Sequence, residues 1–122
     1  MCIRDRIYWN GGLEWWKNGS LQRDDDKPAE INADGTLKWW KNGDWHRDGD
    51  KPAKIYARGG LEWWKNGKRH RVLGPAVIGD NNDFQWWFKG EEMPVNSQDE
   101  YEEWLKKNHP FDPEVRQLYQ LR

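Results

Sequence analysis

The stretch PAEINADGTLKWWKNGDWHR, residues 28–47, decides the fold of this chain. It contains an Asp-Gly dipeptide at 34–35 and an Asn-Gly dipeptide at 42–43, which are the strongest short-range signals of β-hairpin turns. Glycine at these positions excludes a helix here. We therefore predict short antiparallel strands, with residues 33–35 forming a three-residue loop in which Gly35 is left-handed.

This loop determines which residues of the two flanking strands face each other. A two-residue loop would instead place Ile31 opposite Lys38, an apolar side chain beside a charged one. In the three-residue register Glu30 faces Lys38, and the equivalent residues of the next hairpin are Lys54 and Glu62. The two charges have changed sign together, as a cross-strand ion pair requires. The predicted pairs are Ile31 with Leu37, Ala29 with Trp39, Glu30 with Lys38, and Lys54 with Glu62.

Tryptophan doublets recur along the chain with spacings of 24, 24 and 23 residues. A Pro-Ala pair and an isoleucine recur with them, and each doublet is followed by Asn-Gly or Lys-Gly. This periodicity predicts an all-β chain of tandem 24-residue hairpin repeats, arranged as an open meander or, alternatively, as a closed shallow barrel. Residues 7–95 hold four copies, of which we expect the first to be truncated and to lack its opening strand. The doublets are Trp15-Trp16, Trp39-Trp40, Trp63-Trp64 and Trp86-Trp87.

Side chains alternate between the two faces of a strand, so the members of each doublet face opposite ways. The first tryptophans belong to the predicted core, and we expect Trp15, Trp39, Trp63 and Trp86 to be more buried than their neighbours. The remaining core residues are Ala29, Ile31, Leu37, Ala53, Ile55, Leu61, Ala76, Ile78 and Phe84. The second tryptophans face outward, opposite Leu21, Trp45, Arg69 and Glu92. The candidate binding residues on that face, here called the outer aromatic stripe, are Trp16, Trp40, Trp45, Trp64, Arg69 and Trp87.

After Pro94 the pattern becomes helical, and residues 96–122 are predicted to form a helical cap over the last edge of the sheet. Ser97 with Glu100 three residues later forms a capping box, and the Asn-His-Pro sequence at 108–110 ends the helix. A second helix begins at Pro113, with Asp112 as its N-cap. The apolar stripes of the two helices are Tyr101, Trp104 and Leu105, and Val115, Leu118 and Tyr119.

The unit DG-x-x-x-WW-x-NG-x-x-HR, at residues 34–47, resembles MORN-type β-hairpin repeats. It is most similar to a WWxNGxxHRxxGPA variety found in phage, giant-virus and metagenomic proteins. The resemblance covers residues 7–94 and implies the repeat fold. Proteins with such repeats serve as scaffolds, lipid-proximal modules or antitoxins, so the resemblance leaves the function open. The first six residues, MCIRDR, resemble the translation of a sequencing-library adapter, so we interpret residues 1–6 as an artefact and expect the natural start to be missing.

Composition and motifs exclude several classes of function for this chain. With 20 Lys+Arg against 21 Asp+Glu, the chain has no basic field for a nucleic acid, and its polar composition leaves no membrane span. The HRD sequence at 46–48 is a repeat position rather than a kinase loop, because His70-Arg71 stands in the same place of the next copy. We read the acidic loops at 24–26 and 48–50 as solvated turns and the sequence from Asp80 to Asp83 as a left-handed turn. No metal, cofactor or enzyme activity is therefore expected.

Two functions remain for the outer aromatic stripe. The first is a non-enzymatic module for protein–protein interaction or scaffolding. The alternative is binding of a carbohydrate or a choline-type cell-wall ligand, although Arg69 and Glu92 interrupt the aromatic row that a choline cage needs. The stripe could also be plain cross-strand packing. We expect a cytoplasmic or virion-associated protein, with secretion left open by the missing start.

Overall fold

The computed structural model describes residues 3–7, 11–81 and 83–120 of the chain. Asn82 lies outside the described residues, so the turn expected at 80–83 is described only in part. Asp80 and Asn81 form a turn but are not among the left-handed residues. The described residues form short strands followed by two helices. The elements are β1 (Ile3–Ile7), β2 (Leu13–Lys17), β3 (Ser20–Leu21), β4 (Glu30–Ile31), β5 (Leu37–Lys38), β6 (Trp40–Lys41), β7 (Asp44–Trp45), β8 (Lys54–Ile55), β9 (Leu61–Glu62), β10 (Trp64–Lys65), β11 (Lys68–Arg69), β12 (Val77–Ile78), β13 (Phe84–Phe88), β14 (Glu91–Met93), α1 (Gln98–Asn108) and α2 (Pro113–Gln120).

The strands form one long antiparallel sheet in the order β1-β2-β4-β5-β8-β9-β12-β13-β14, with β3 paired to β2. Two further hairpins, β6-β7 and β10-β11, follow β5 and β9 after a single residue that belongs to no strand. Since the strand path begins at β1 and ends at β14, the described sheet is open and does not close into a barrel. The all-β prediction with C-terminal helices is confirmed.

The predicted register is confirmed for three of the four pairs. It is wrong for Ala29 with Trp39, because the Ala29 N–H donates to the Lys38 carbonyl at 2.9 Å and the Trp39 N–H donates to the Ala53 carbonyl at 2.7 Å. Ile31 faces Leu37 and Glu30 faces Lys38, with 3.6 Å between Lys38 Nζ and Glu30 Oε2. The three-residue loop is closed by the Asn32 N–H, which donates to the Thr36 carbonyl at 2.9 Å, and Gly35 has φ of 95°. In the next hairpin, Lys54 faces Glu62. The turn chemistry therefore fixes the strand pairing locally.

Burial separates the members of the doublets as predicted in three of the four cases. Trp39, Trp63 and Trp86 are 6–7% exposed, whereas the tryptophan that follows each of them is half-buried. Trp15 and Trp16 are both half-buried. The core prediction is wrong for Phe84, which is 51% exposed. It is confirmed for the three alanines, whereas the remaining predicted core residues are half-buried: Ile31, Leu37, Ile55, Leu61 and Ile78.

An arginine covers each of the first three inner tryptophans. Its guanidinium carbon lies 3.8 Å from the indole centroid, and Nη1 donates to a proline carbonyl four or five residues further on. A planar guanidinium stacks on an indole more effectively than an ammonium group does. The pairs are Arg23 with Trp15, Arg47 with Trp39, and Arg71 with Trp63.

The two helices complete the hydrophobic core at the C-terminal end of the sheet. The Ser97 side chain accepts from the Glu100 N–H at 3.2 Å, and Asp112 Oδ1 accepts from the Glu114 N–H at 2.9 Å, so both predicted N-caps are confirmed. Tyr119 was expected in the apolar stripe of α2 but is 52% exposed. The principal core cluster is Val72, Trp86, Phe88, Tyr101, Leu105, Val115 and Leu118.

The helices pack against the last hairpin, through Trp86 and Phe88 of β13 and Met93 of the edge strand β14. Tyr101 fixes their position, since its hydroxyl donates to the carbonyls of Arg71 and Trp87 at 2.6 and 2.9 Å. Burial raises the pKa of this phenol well above its usual value. The prediction that the helices cover the last edge stays a prediction, although Met93 of the edge strand β14 packs against the same core cluster.

The first hairpin has two strands. β1 pairs with β2, and Ile7 faces Leu13 as Ile31 faces Leu37. The expectation that the opening strand is lacking is therefore wrong. The interpretation of residues 1–6 as an adapter artefact remains a prediction.

Candidate recognition face

Two-residue turns orient the outer aromatic stripe. The first residue of each turn is left-handed, with φ of 50–53°, and the glycine that follows has φ of 80–90°. Such turns match the twist of the strands, and Asn and Gly tolerate this backbone region best. The cross-strand pairs are those predicted: Trp16 with Leu21, Trp40 with Trp45, Trp64 with Arg69, and Trp87 with Glu92.

Five members of the stripe form a continuous stack across three hairpins. The ring centroids of Trp40 and Trp45 are 4.2 Å apart, and those of Trp45 and Trp64 are 5.7 Å apart. The guanidinium carbon of Arg69 then lies 5.2 Å from the Trp64 ring and 5.1 Å from the Trp87 ring. Arg69 was expected to interrupt the aromatic row, and this expectation is wrong, because its guanidinium links Trp64 and Trp87. Trp16 lies on the first hairpin, opposite Leu21.

The indole N–H groups of the outer tryptophans are bound by the residue two positions earlier on the same face. Trp16 donates to Glu14 at 3.1 Å, Trp64 to Glu62 at 2.8 Å and Trp87 to Gln85 at 3.0 Å. The residue two positions before Trp40 is Lys38, which has no acceptor, and the buried Trp40 N–H has no hydrogen-bond partner. Trp40 is therefore positioned by stacking alone.

Cations surround the centre of the stripe. Lys38 and Lys54 face each other on neighbouring strands, and their ammonium groups lie 5.7 and 5.2 Å from the Trp45 ring. With Arg69, three cationic side chains contact rings of the stripe. Cations over indole faces are attracted by the ring quadrupole. Two of the three are also paired with carboxylates on this face, Lys38 with Glu30 at 3.6 Å and Arg69 with Glu62 at 3.8 Å.

Glu62 holds the middle of the face together. Its carboxylate accepts from the Tyr56 hydroxyl at 2.7 Å as well as from Trp64, and it lies 3.8 Å from Arg69 Nη2. Burial, together with the hydrogen bond to Glu62, raises the pKa of Tyr56 to about 12. At only 7% exposure, Glu62 acts beneath the tryptophans as an anchor rather than as a surface charge.

The His-Arg pairs have a structural role that the sequence did not reveal in detail. Nδ1 of His46 accepts from the Asn66 N–H at 3.0 Å, and Nδ1 of His70 accepts from the Lys89 N–H at 2.9 Å. Gln22 does the same for Asn42 at 3.1 Å. Each residue thus binds the turn of the following hairpin. The sequence could have revealed this role, because the equivalent positions hold Gln22, His46 and His70, and both residue types can accept a hydrogen bond.

His70 also binds the second helix. Because its Nδ1 accepts, its Nε2 carries the proton and donates to Glu114 at 2.9 Å. Lys65 lies 2.8 Å from the same carboxylate, and the hydrogen bond from His70, followed by that from Lys65, lowers the pKa of Glu114 to about 2. In His46 the second nitrogen is likewise bonded, to Asp48 at 2.7 Å. Both nitrogens of both rings are therefore engaged within the protein.

The acidic loops at 24–26 and 48–50 are exposed turns, as predicted, and Asp26 and Asp50 also tie one hairpin to the next. Arg47 Nε and Lys51 Nζ each lie 2.9 Å from an oxygen of Asp26, and Arg47, then Lys51, lowers the pKa of that carboxyl. Arg71 lies 2.9 Å from Asp50 in the same way. Among the described residues there is no cluster of three His, Cys, Asp or Glu that could hold a metal ion.

No family model, curated protein or solved structure matches this chain. Neither of the two described helices is long and apolar enough to cross a bilayer.

Proposed function

We propose that this chain is a tandem array of hairpin repeats of about 24 residues that serves as a non-enzymatic protein-interaction module, with the outer aromatic stripe as its binding face. Equivalent contacts support the repeat. In each doublet the backbone N–H of the first tryptophan donates to the alanine carbonyl of the next Pro-Ala pair. The distances are 2.8 Å for Trp15 with Ala29, 2.7 Å for Trp39 with Ala53 and 2.7 Å for Trp63 with Ala76.

The continuous stack from Trp40 to Trp87 is the observation that carries the binding role. Trp45 and Trp64 have a stacking neighbour on both sides, and Trp40 and Trp87 have one, which restricts the rotamers of these rings. A partner therefore meets a rigid apolar surface and orders few side chains on binding. Tryptophan and arginine are also the residues most enriched among binding hot spots.

The charges on the face specify the chemistry of the partner. Lys38, Lys54 and Arg69 lie within 6 Å of the stripe rings. Lys38 is also paired with Glu30 and Arg69 with Glu62, whose carboxylate is bonded to Tyr56 and Trp64 as well. An apolar side chain could rest on the Trp40–Trp45 pair while neighbouring carboxylates meet the cations. We therefore propose an acidic protein segment with aromatic or aliphatic anchors as the partner.

Carbohydrate binding is the second candidate, because sugar rings also rest on exposed tryptophan faces. The notion of a choline-type ligand is weakened by the same three cations, which would repel a quaternary ammonium group from these rings. The two ligand classes are separable by titrating the protein with choline and with soluble cell-wall oligosaccharides while tryptophan fluorescence is recorded. A saturable response to either would replace the protein-interaction proposal.

The stability test compares the two tryptophans of one doublet. Trp39→Ala removes a buried ring and its arginine stack, and we expect it to lower the free energy of unfolding by about 3–5 kcal/mol. Trp40→Ala should cost clearly less, because that ring is half-buried. Thermal and urea unfolding of both variants measure this. Equal losses would mean that Trp40 serves folding rather than recognition.

The binding test uses a displayed library of random acidic peptides, panned on the wild type. Peptides recovered this way should bind Trp40→Ala more weakly by about 2 kcal/mol, as is typical of a hot spot. Replacing Lys107, an exposed residue of α1, by Ala provides the control and should leave affinity unchanged. Peptides that bind wild type and Trp40→Ala equally would contradict the stripe as the binding face.

A further inference from the structure

Two cavities of the protein are built from the same positions, 24 residues apart along the chain. Apart from residues of α2, nearly every residue that lines the first cavity has its equivalent, 24 positions earlier, in the wall of the second. Their volumes are about 310 and 400 Å³. We call them the Lys65 cavity, lined by Trp64, Lys65 and His70, and the Lys41 cavity, lined by Trp40, Lys41 and His46.

The Lys65 cavity contains a bound carboxylate, which α2 provides. Lys65 Nζ lies 2.8 Å from Glu114 Oε1, and Nε2 of His70 donates to Glu114 Oε2 at 2.9 Å. Gln117, one turn later on α2, lines the same cavity. An ammonium group and an imidazole N–H that converge on one carboxylate make strong, charge-assisted hydrogen bonds. The protein itself therefore shows which chemical group this arrangement binds.

A loop residue decides where the carboxylate comes from. In the Lys41 cavity, Nε2 of His46 donates to Asp48 Oδ1 at 2.7 Å, so the loop supplies the acceptor. The residue 24 positions after Asp48 is Val72, which has no carboxylate. In the Lys65 cavity, Glu114 of α2 therefore occupies the place that Asp48 occupies beside His46.

Lys41 is left without an anion. It is exposed and makes no ion pair with any residue that the structure describes, unlike Lys65. No described residue of α1 or α2 lines the Lys41 cavity. The His46 side chain is 8% exposed and its Nδ1 is bonded to the backbone of the next hairpin, whereas the Asp48 side chain is 73% exposed. Asp48 can therefore turn into solvent at little cost, while His46 stays in position.

We propose that the Lys41 cavity receives an Asp or Glu side chain of the protein partner, as the Lys65 cavity receives Glu114. The partner's carboxylate binds Lys41 and takes the place of Asp48 on His46. Trp40 lines the cavity and belongs to the outer aromatic stripe, so a segment that rests on the stripe reaches the cavity directly. The partner is that of the proposed function, on which this inference rests, and Lys41 with His46 bind its charge.

Carbodiimide cross-linking locates this contact. The reagent activates a carboxylate, the Nζ of a lysine attacks the activated carbon, and an amide forms as the reagent leaves as a urea. Lys65 and Glu114 are 2.8 Å apart, so their link should form in every sample and serves as the internal standard. The probe is a short acetylated oligoglutamate, which has no aromatic or aliphatic anchor and therefore does not depend on the stripe.

Mass spectrometry of the digested protein should show the probe linked to Lys41 about tenfold more often than to Lys107, an exposed lysine of α1. Equal linkage of the two lysines would overturn the proposal. Absence of the link between Lys65 and Glu114 would overturn it too, because the precedent would be lost. Neither outcome touches the proposed function, which the panned peptides and Trp40→Ala test separately.

The affinity of the panned acidic peptides gives the second test. Lys41→Ala should weaken binding by about tenfold or more, because the ion pair with the partner is lost. Asp48→Ala should strengthen binding by about twofold to fivefold, because the competing carboxylate is gone. Asp25→Asn, which removes one exposed charge from the neighbouring acidic loop, is the matched control and should leave affinity unchanged. A Lys41→Ala variant that binds like the wild type would contradict the site, and Asp48→Ala binding no tighter than Asp25→Asn would contradict the displacement of Asp48.

Discussion

Trp40 is the one outer tryptophan of the central hairpins whose buried N–H has no acceptor. Burying an N–H donor without an acceptor costs about 1–3 kcal/mol, because its hydrogen bond to water is lost. Phenylalanine has no such donor, so Phe at this position should remove this cost. Trp64, in contrast, donates to the buried Glu62 at 2.8 Å.

We therefore predict that Trp40→Phe leaves the free energy of unfolding within about 1 kcal/mol of the wild type, while Trp64→Phe lowers it by about 1.5 kcal/mol or more. The two changes remove the same atoms, so each is the control for the other. Urea unfolding of both variants gives the comparison. A larger loss for Trp40→Phe than for Trp64→Phe would mean that the Trp40 N–H is hydrogen-bonded.

At the scale of elements, α2 is attached to the sheet by Glu114, which binds His70 and Lys65. These partners lower its folded-state pKa from 4.5 to about 2, so between those values the unfolded chain binds the proton more tightly. Stability from this carboxylate is therefore present above pH about 4.5 and is lost as the pH falls towards about 2.

Glu114→Gln should accordingly be less stable than the wild type near pH 6, and the difference should shrink to nearly nothing near pH 2. Chemical unfolding at a series of pH values measures it, and Asp26 and Asp112, whose pKa values are also lowered, cancel because both proteins contain them. Glu103→Gln, at an exposed position of α1, should show no such dependence. A difference that stays constant with pH would assign the role of Glu114 to packing alone.

Elements are also where prediction from sequence succeeded and failed. The register of the hairpin at Gly35 was predictable, because loop length and left-handed backbone are local properties. The exposure of Phe84 and Tyr119 was not, because it depends on which distant elements lie over them. The role of Arg69 was predicted wrongly for another reason. Sequence shows a charged residue between aromatic ones, but it does not show that the guanidinium stacks on the Trp64 and Trp87 rings.

For the whole molecule, the principal core cluster lies at the C-terminal end, between β13 and the helices. Stability should therefore fall along the sheet towards β2. We predict that amides of Trp86–Phe88 and of α1 exchange with solvent at least tenfold more slowly than those of β2 and β3. Hydrogen exchange followed by mass spectrometry resolves these segments. Uniform protection along the sheet would show that the array unfolds as one unit.

The stacked rings of the outer aromatic stripe also behave as coupled chromophores. With 4.2 Å between the Trp40 and Trp45 centroids and 32° between their planes, the electronic transitions of the two indoles mix and produce a paired positive and negative band in far-ultraviolet circular dichroism. That band overlaps the backbone signal, so a spectrum read for strand content alone would misjudge this fold. The same overlap is useful, because the couplet follows the geometry of one ring pair. The circular-dichroism couplet can thus report loss of order in the stripe while the sheet beneath it stays folded.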